Sequence, residues 1–356
     1  MTEYLILTIN PGSTSTKFAL FKGNEEILGD NITHSNEELA PYEKMVDQFE
    51  MRKSIIVNHL SEQNINLSDI DAVVGRGGLL KPIPGGTYKV NKAMIDDLHA
   101  AEMGEHASNL GALIAKAIAD EADCESYIVD PVVVDELDNI ARYSGNPLIP
   151  RKSIFHALNQ KRTARMVADK IGKDYENCNL IVVHMGGGIS AGVHVNGKVV
   201  DVNNALDGDG PFTPERSGAL PAGGLVGLCF SGKYEEKQMR KMIKGEGGIV
   251  AYLGTNDLRV VESKIQEGDS QANMIYQAMA YQIAKEIGAL ATVANGKIDA
   301  IALTGGIAYS EKFTSLIEQR VNFIADVVVI PGENELEALR DGAIRVLDGV
   351  DSYKAY

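Results

Sequence analysis

Two stretches of the chain carry the same pattern of apolar and polar positions. In the first, Leu5, Ile6, Leu7 and Ile9 form a short apolar run suited to a strand buried on both faces. A polar segment then runs from Asn10 to Lys17, and alternation resumes around Phe18, Leu20 and Phe21. The pattern predicts a strand, a tight turn and a second strand. In the second stretch, residues 180–200, an apolar run leads into a small-residue turn, an alternating run and a hairpin signal at Asn196-Gly197. Within it, Gly186, Gly188 and Ala191 stand at the spacing of a dinucleotide-binding fingerprint. That fingerprint requires a helix to follow, whereas residues 191–200 alternate, so a Rossmann reading is excluded.

The rest of the chain interleaves strands and helices. Further strands are predicted over residues 26–32, 71–74, 127–129, 298–303 and 327–330, and helices over 41–60, 94–100, 106–119, 273–294 and 335–347. Gly75-Arg76-Gly77-Gly78 and Thr304-Gly305-Gly306 close two of the strands, and Gly186 to Gly188 close a third, which points to a shared cleft. Residues 203–224, rich in Gly, Pro and Asp and holding Arg216, read as a long loop of the functional kind. No flexible linker separates the halves, so a packed hinge is expected near residues 150–154.

At 356 residues and 44% hydrophobic composition the chain can bury two cores. A net charge of −15 argues against general binding to nucleic acid or to an anionic membrane, so an anionic substrate must meet local cations. Cys124, Cys178 and Cys229 are widely spaced, which indicates neither a disulfide framework nor a zinc site and predicts a reducing cytoplasm. No export signal or membrane span is expected.

Several positions carry candidate chemistry. The first turn offers Gly12 for close backbone approach, the hydroxyls of Ser13, Thr14, Ser15 and Thr16, and the Lys17 ammonium, a donor set suited to anionic oxygens. An ordinary Ser/Thr-rich turn is the plain alternative. Arg76 lies among glycines at the C-terminal end of a strand, where open α/β sheets bind ligands. Asp130, ahead of Pro131, suits a metal, an oriented arginine or a cap, and His156 taken alone reads better as a satisfied buried histidine. Neither a GxxxxGK[ST] loop nor an HExxH helix is present.

Ten segments in order, INPGSTSTK, VVGRGG, HASN, IVDP, SIFH, VVHMGGG, PERSG, TNDLR, LTGGI and VIPGENEL, resemble the acetate kinase family over almost the whole chain. The resemblance implies an α/β fold of two duplicated ribonuclease H-like domains, shared with sugar kinases, Hsp70 and actin, closing on ATP in a cleft between them. It implies domains of residues 1–152 plus 334–356, with the carboxylate site and first phosphate hairpin, and 153–333, with the nucleotide site and second hairpin. The implied reaction is reversible transfer of the γ-phosphoryl of ATP to a short-chain carboxylate, with magnesium as cofactor, in a homo-oligomer. Matched residue by residue, Asn10 and Glu335, or else Glu333, would hold magnesium through water, and Ser13, Ser15 and Lys17 would face the phosphates. Arg76 and Arg216 would bind the carboxylate and the moving phosphoryl, Asp130 would orient an arginine or the metal, and His156 would donate to phosphoryl oxygens. His184, Gly186, Gly187, Gly188, Asp257, Arg259, Gly305 and Gly306 would line the nucleotide site, and Phe155 the acyl pocket.

Two departures from the family pattern stand out. Gly186 to Gly188 occupy the place of an asparagine, and Gly77-Gly78 replace two valines that wall the methyl pocket. The second change is expected to open room for a longer chain, at about 0.8 kcal/mol per buried CH₂, and so to favour butanoate over acetate. Isobutyrate or another branched acid, and acetate or propionate, remain alternative substrates. A non-catalytic, Hsp70-like ATP-dependent module is the alternative of another class, although it has no need of Arg76, Asp130, His156 and Arg216.

Overall fold

The short apolar runs pair into two sheets in the computed structural model, which describes residues 3–356. The first sheet holds β1 (Leu5–Gly12), β2 (Ser15–Lys22), β3 (Glu25–Thr33), β4 (Ala72–Arg76), β5 (Thr87–Lys89) and β6 (Glu125–Val129), in the order β3-β2-β1-β4-β6-β5. β1 to β3 form an antiparallel meander, while β4 lies parallel to β1 and β6 parallel to β4. The second sheet holds β7 (Asn179–Met185), β8 (Ile189–Val195), β9 (Lys198–Val202), β10 (Ala300–Gly305) and β11 (Val327–Pro331), in the order β11-β10-β7-β8-β9. Its antiparallel meander and two added parallel strands repeat β3-β2-β1-β4-β6 of the first sheet, and among the described residues β5, antiparallel to β6, is the one strand without a counterpart. The register shift recurs too, at Leu20/Phe21 on β2 and at Val193/His194 on β8. The expected duplicated α/β class is therefore present as topology.

The chain divides into one unit of Met1–Val134 with Asn334–Tyr356, and another of Asp135–Glu333. Residues 135–152, expected in the first domain, fold with the second unit. The Asp138 N–H donates to Val200 O at 2.9 Å, and Arg151 pairs with Asp201. β9 thus satisfies the backbone of a segment whose composition gave no sign of changing sides.

In the first unit, Leu7, Ile9, Phe18 and Leu20 pack under the helices Phe49–Glu62 and Asn109–Ala122. Gly75 and Gly111 let β4 and the second of these helices touch backbone to backbone, because a Cβ at Gly75 would fall on Gly111 O. The terminal helix Glu335–Leu347 returns to this sheet, burying Leu336 and Leu339 and accepting at Gly342 O from Thr87 Oγ1. In the second unit, Ile181, Val183 and Leu303 pack against the long helix Ser270–Val293.

The helix expected over 41–60 begins later, after a 3₁₀ turn at Met45–Gln48 whose entry is capped by Asp47 accepting from Lys44 N. The long loop expected over 203–224 runs into a helix, Ala222–Cys229, whose three glycines hid it.

Candidate active-site residues

The first hairpin turn is held from beneath. Arg52, on the helix Phe49–Glu62, donates to Ser15 O at 2.6 Å, Gly12 O at 2.8 Å and Ser13 O at 3.1 Å, and also to Thr16 Oγ1 and Gln48 Oε1. It is fully buried and forms no ion pair among the described residues, so carbonyl dipoles are its counter-charge. With those oxygens turned inward, the Ser13, Thr14 and Lys17 side chains remain on the exposed side, where the turn meets solvent. Asn10 and Lys17 face each other across β1 and β2 and so share one face of the sheet.

Arg76 ends β4 and pairs with Glu335, whose other oxygen accepts from Asn10 Nδ2 at 2.5 Å. Arg76 also stands 3.4 Å from Asn10 Oδ1. Of the two glutamates weighed from sequence, Glu335 is the one beside Asn10. Glu333 belongs to the other unit, with Oε1 3.8 Å from His184 Nε2.

Asp130 latches a loop, its Oδ1 accepting from Gly86 N at 2.6 Å while its own N–H donates to Gly86 O. Its φ of 38° puts a non-glycine residue in the left-handed region to make that latch. One expectation needs correction: Gly77 and Gly78 do not open space. A Cβ on Gly77 would lie 2.5 Å from Pro131 Cβ, and one on Gly78 2.6 Å from Asn109 Cα, so neighbouring chain has moved into the volume of the missing side chains. Asn109 fixes this loop by accepting from Leu79 N and donating to Gly104 O.

In the second unit the β7–β8 turn, Gly186 to Gly188, lies against the Arg216 guanidinium: a Cβ on Gly188 would collide with it. Arg216 Nη1 donates to Ala205 O at 2.6 Å, while Nε is buried with no hydrogen-bond partner among the described residues. Thr213 Oγ1 braces the turn by donating to Gly187 O at 2.6 Å. His156 and His184 stack with ring centroids 3.8 Å apart. Phe155, next to His156 in sequence, is buried, at 2% exposure.

A cleft of about 840 Å³, the size of a nucleotide site, is lined in this unit by Gly186, Gly187, Asp257, Arg259, Gly306 and Glu333. Asp257 caps the helix Leu258–Gln266, and its hydrogen bonds with Arg259 hold its carboxyl down at about 2. Gly305 does not reach the cleft lining. With a φ of 87° it packs on the Met185 backbone, leaving Gly306 as the exposed member of the pair. Sequence reasoning missed Arg52 and, in the second unit, Asn159, Gln160 and Ser190. The spacing of polar helices gave no sign that Arg52, Asn159 and Gln160 turn inward, and Ser190 on β8 read as a small residue of the turn.

Two sheets of matching strand order, each opened by a tight hairpin, make this a duplicated α/β chain. Residues 137–325 match the model of the acetokinase family. Butyrate kinase 2 of Clostridium acetobutylicum is 56% identical over 99% of both chains, and a probable butyrate kinase of Clostridium botulinum is 55% identical over 99% of this chain and 100% of its own. Among solved structures, Porphyromonas gingivalis acetate kinase aligns with a TM-score of 0.78 at 18% identity, covering 96% of this chain and 99% of its own. A Francisella tularensis propionate kinase aligns at 0.72 and 19%, covering 95% and 98%. The chain belongs to the acetokinase family.

Proposed function

We propose that this chain is a butyrate kinase, converting ATP and butanoate to ADP and butanoyl phosphate by direct in-line phosphoryl transfer. The near-full-length relation to butyrate kinases supports the substrate class. At the residue level, the reading is carried by the pairing of Arg76 with Glu335 and Asn10 at the end of β4. A carboxylate is already a nucleophile and needs no base, so the protein's task is to position two anions and neutralise charge. Arg76 takes the acceptor carboxylate. Within the first unit Ser13, Ser15 and Lys17 form a turn suited to phosphate oxygens, and within the second the Gly186 to Gly188 turn is another. Arg216 and His156 donate to the transferred group, and the cleft containing Asp257, Arg259 and Gly306 takes the nucleoside.

Magnesium fits the residues present as an ion carried in with the nucleotide. No group of three or more His, Cys, Asp or Glu side chains suited to a metal occurs among the described residues, and Asn10 and Glu335 supply one amide oxygen and one carboxylate. Such a pair suits an ion that keeps its waters and its phosphate ligands. When bound, it would neutralise charge on the phosphates.

Because packing fills the space at Gly77 and Gly78, acyl-length preference must reside in other side chains. Turnover measured over acetate, propionate, butanoate, isobutyrate and valerate is expected to give the highest kcat/KM on the four-carbon acids. A clear preference for acetate would refute the substrate assignment and leave the reaction type standing.

A homo-oligomer is supported by the helix Ala222–Cys229, which buries none of its residues and exposes Val226 by 55%, with Phe230 just beyond it at 86%. Phe230→Glu with Val226→Glu is expected to lower the mass seen by light scattering toward the 38.3 kDa chain. An unchanged mass would place the contact elsewhere. A cytoplasmic location is supported by three free cysteines, and among the described residues no helix is long and apolar enough to cross a membrane.

A further inference from the structure

The stacked rings of His156 and His184, 14° from parallel, are each tied through Nδ1 to a different partner. His184 Nδ1 lies 2.8 Å from Asn159 Oδ1. His156 Nδ1 lies 2.8 Å from Ser190 Oγ, which is 2.8 Å from Gln160 Nε2. Asn159 and Gln160 are consecutive, buried residues of the helix Ala157–Lys170.

Backbone carbonyls, which only accept, fix the orientation of both amides. Asn159 Nδ2 lies 2.8 Å from Glu333 O and 3.3 Å from Gly332 O, so its oxygen faces His184. His184 must then donate from Nδ1. Gln160 Nε2 lies 2.9 Å from Ser190 O, so its NH₂ faces Ser190 and its oxygen faces His194 Nε2 at 3.1 Å. His194 therefore donates from Nε2 and accepts at Nδ1 from the Tyr175 hydroxyl, 2.8 Å away. Burial, with Lys161 and Arg165 nearby, pushes His194 well below its usual range, so it is neutral and has one proton to give. Gly192 makes room for this arrangement, since a Cβ there would lie 2.7 Å from Gln160 Oε1.

Ser190 Oγ already accepts from Gln160. Its hydroxyl proton has one acceptor among its partners, His156 Nδ1, and Ser190 is fully buried. Placing a proton on His156 Nδ1 instead would leave that hydroxyl without an acceptor, at a cost buried groups avoid.

We propose that Asn159 and Gln160 are positioning residues that hold the two stacked rings in opposite tautomers, His156 protonated at Nε2 and His184 at Nδ1. The inference deepens, and rests on, the reading of His156 as a donor to the transferred phosphoryl group: a neutral ring held in the Nε2–H form donates without first taking up a proton. Oriented hydrogen-bond chains of this kind strengthen each member.

The test is magic-angle-spinning NMR of the full chain labelled with ¹⁵N-histidine, with signals assigned through His156→Gln and His184→Gln. The expected result is a protonated Nε2 and bare Nδ1 for His156, and a protonated Nδ1 for His184. Ser190→Ala should release His156 to a mixture of tautomers and lower kcat about tenfold, with KM for ATP and butanoate within about twofold. A proton on Nδ1 of His156 in the unmodified protein, or a Ser190→Ala protein with unchanged tautomer and kcat, overturns the proposal. If the tautomers are as stated but His156→Gln is fully active, the proton assignment stands and the phosphoryl role of His156 falls.

Discussion

Gly188→Ala is expected to lower turnover by about 10²-fold in a protein that remains folded. The backbone at Gly188 lies outside the left-handed region, so alanine costs little conformationally. The damage comes from its Cβ, which would fall on the Arg216 guanidinium. Arg216 is the movable partner, being the far end of a long side chain anchored at Ala205 O by Nη1. A single methyl should thus displace the cation assigned to the transferred phosphoryl group. Arg216→Gln should give a similar loss, and the double variant should be little worse than either one, since both act on the same contact. Thermal melting separates this from unfolding. A Gly188→Ala enzyme with full kcat would show that the seat of Arg216 against the turn does not matter to the chemistry.

Arg52→Met should cost about 3 kcal/mol or more of stability and raise KM for ATP, because it strips the partner from three turn carbonyls at once. Methionine replaces the aliphatic stem of the side chain but is shorter and supplies no donor. The Gly12, Ser13 and Ser15 carbonyls would then be free to rotate toward the ligand side, where they would repel phosphate oxygens. Arg52→Lys keeps the charge but cannot reach the same set of acceptors from one nitrogen, so it should recover only part of the loss. Denaturant midpoints and ATP saturation curves check both variants. Unchanged stability and KM in Arg52→Met would mean that the turn is held by its strands alone.

Arg52 also shows where sequence reading stops. The hairpins, the sheet strands other than the three-residue β5, and the terminal helix were legible because burial on a strand or helix imposes a period on the chain. Arg52 was not, since between Met51 and Lys53 it reads as one more solvated charge on a polar helix, and only the folded turn turns it inward. Asn159 and Gln160 were hidden for the same reason, beside Lys161 and Arg162. At Gly77 and Gly78 the residues were correctly singled out but the physics was reversed. A missing side chain leaves a pocket only if nothing fills it, and here Pro131 and Asn109 do. At Asp130 the latch to Gly86 through one carboxylate oxygen was not legible, because it depends on a left-handed backbone that sequence does not show. The boundary at residue 134 rather than 152 left no trace in composition, because both sides of it are ordinary packed chain.

Rapid quenching of the protein with labelled ATP, in the presence and absence of butanoate, followed by hydroxylamine trapping, tests the assignment as a carboxylate kinase most directly. Butanoyl hydroxamate should form in step with ADP, only when the acid is present, and no label should remain on the protein. ATP turnover that ignores the acid, with no acyl phosphate trapped, would contradict the assignment.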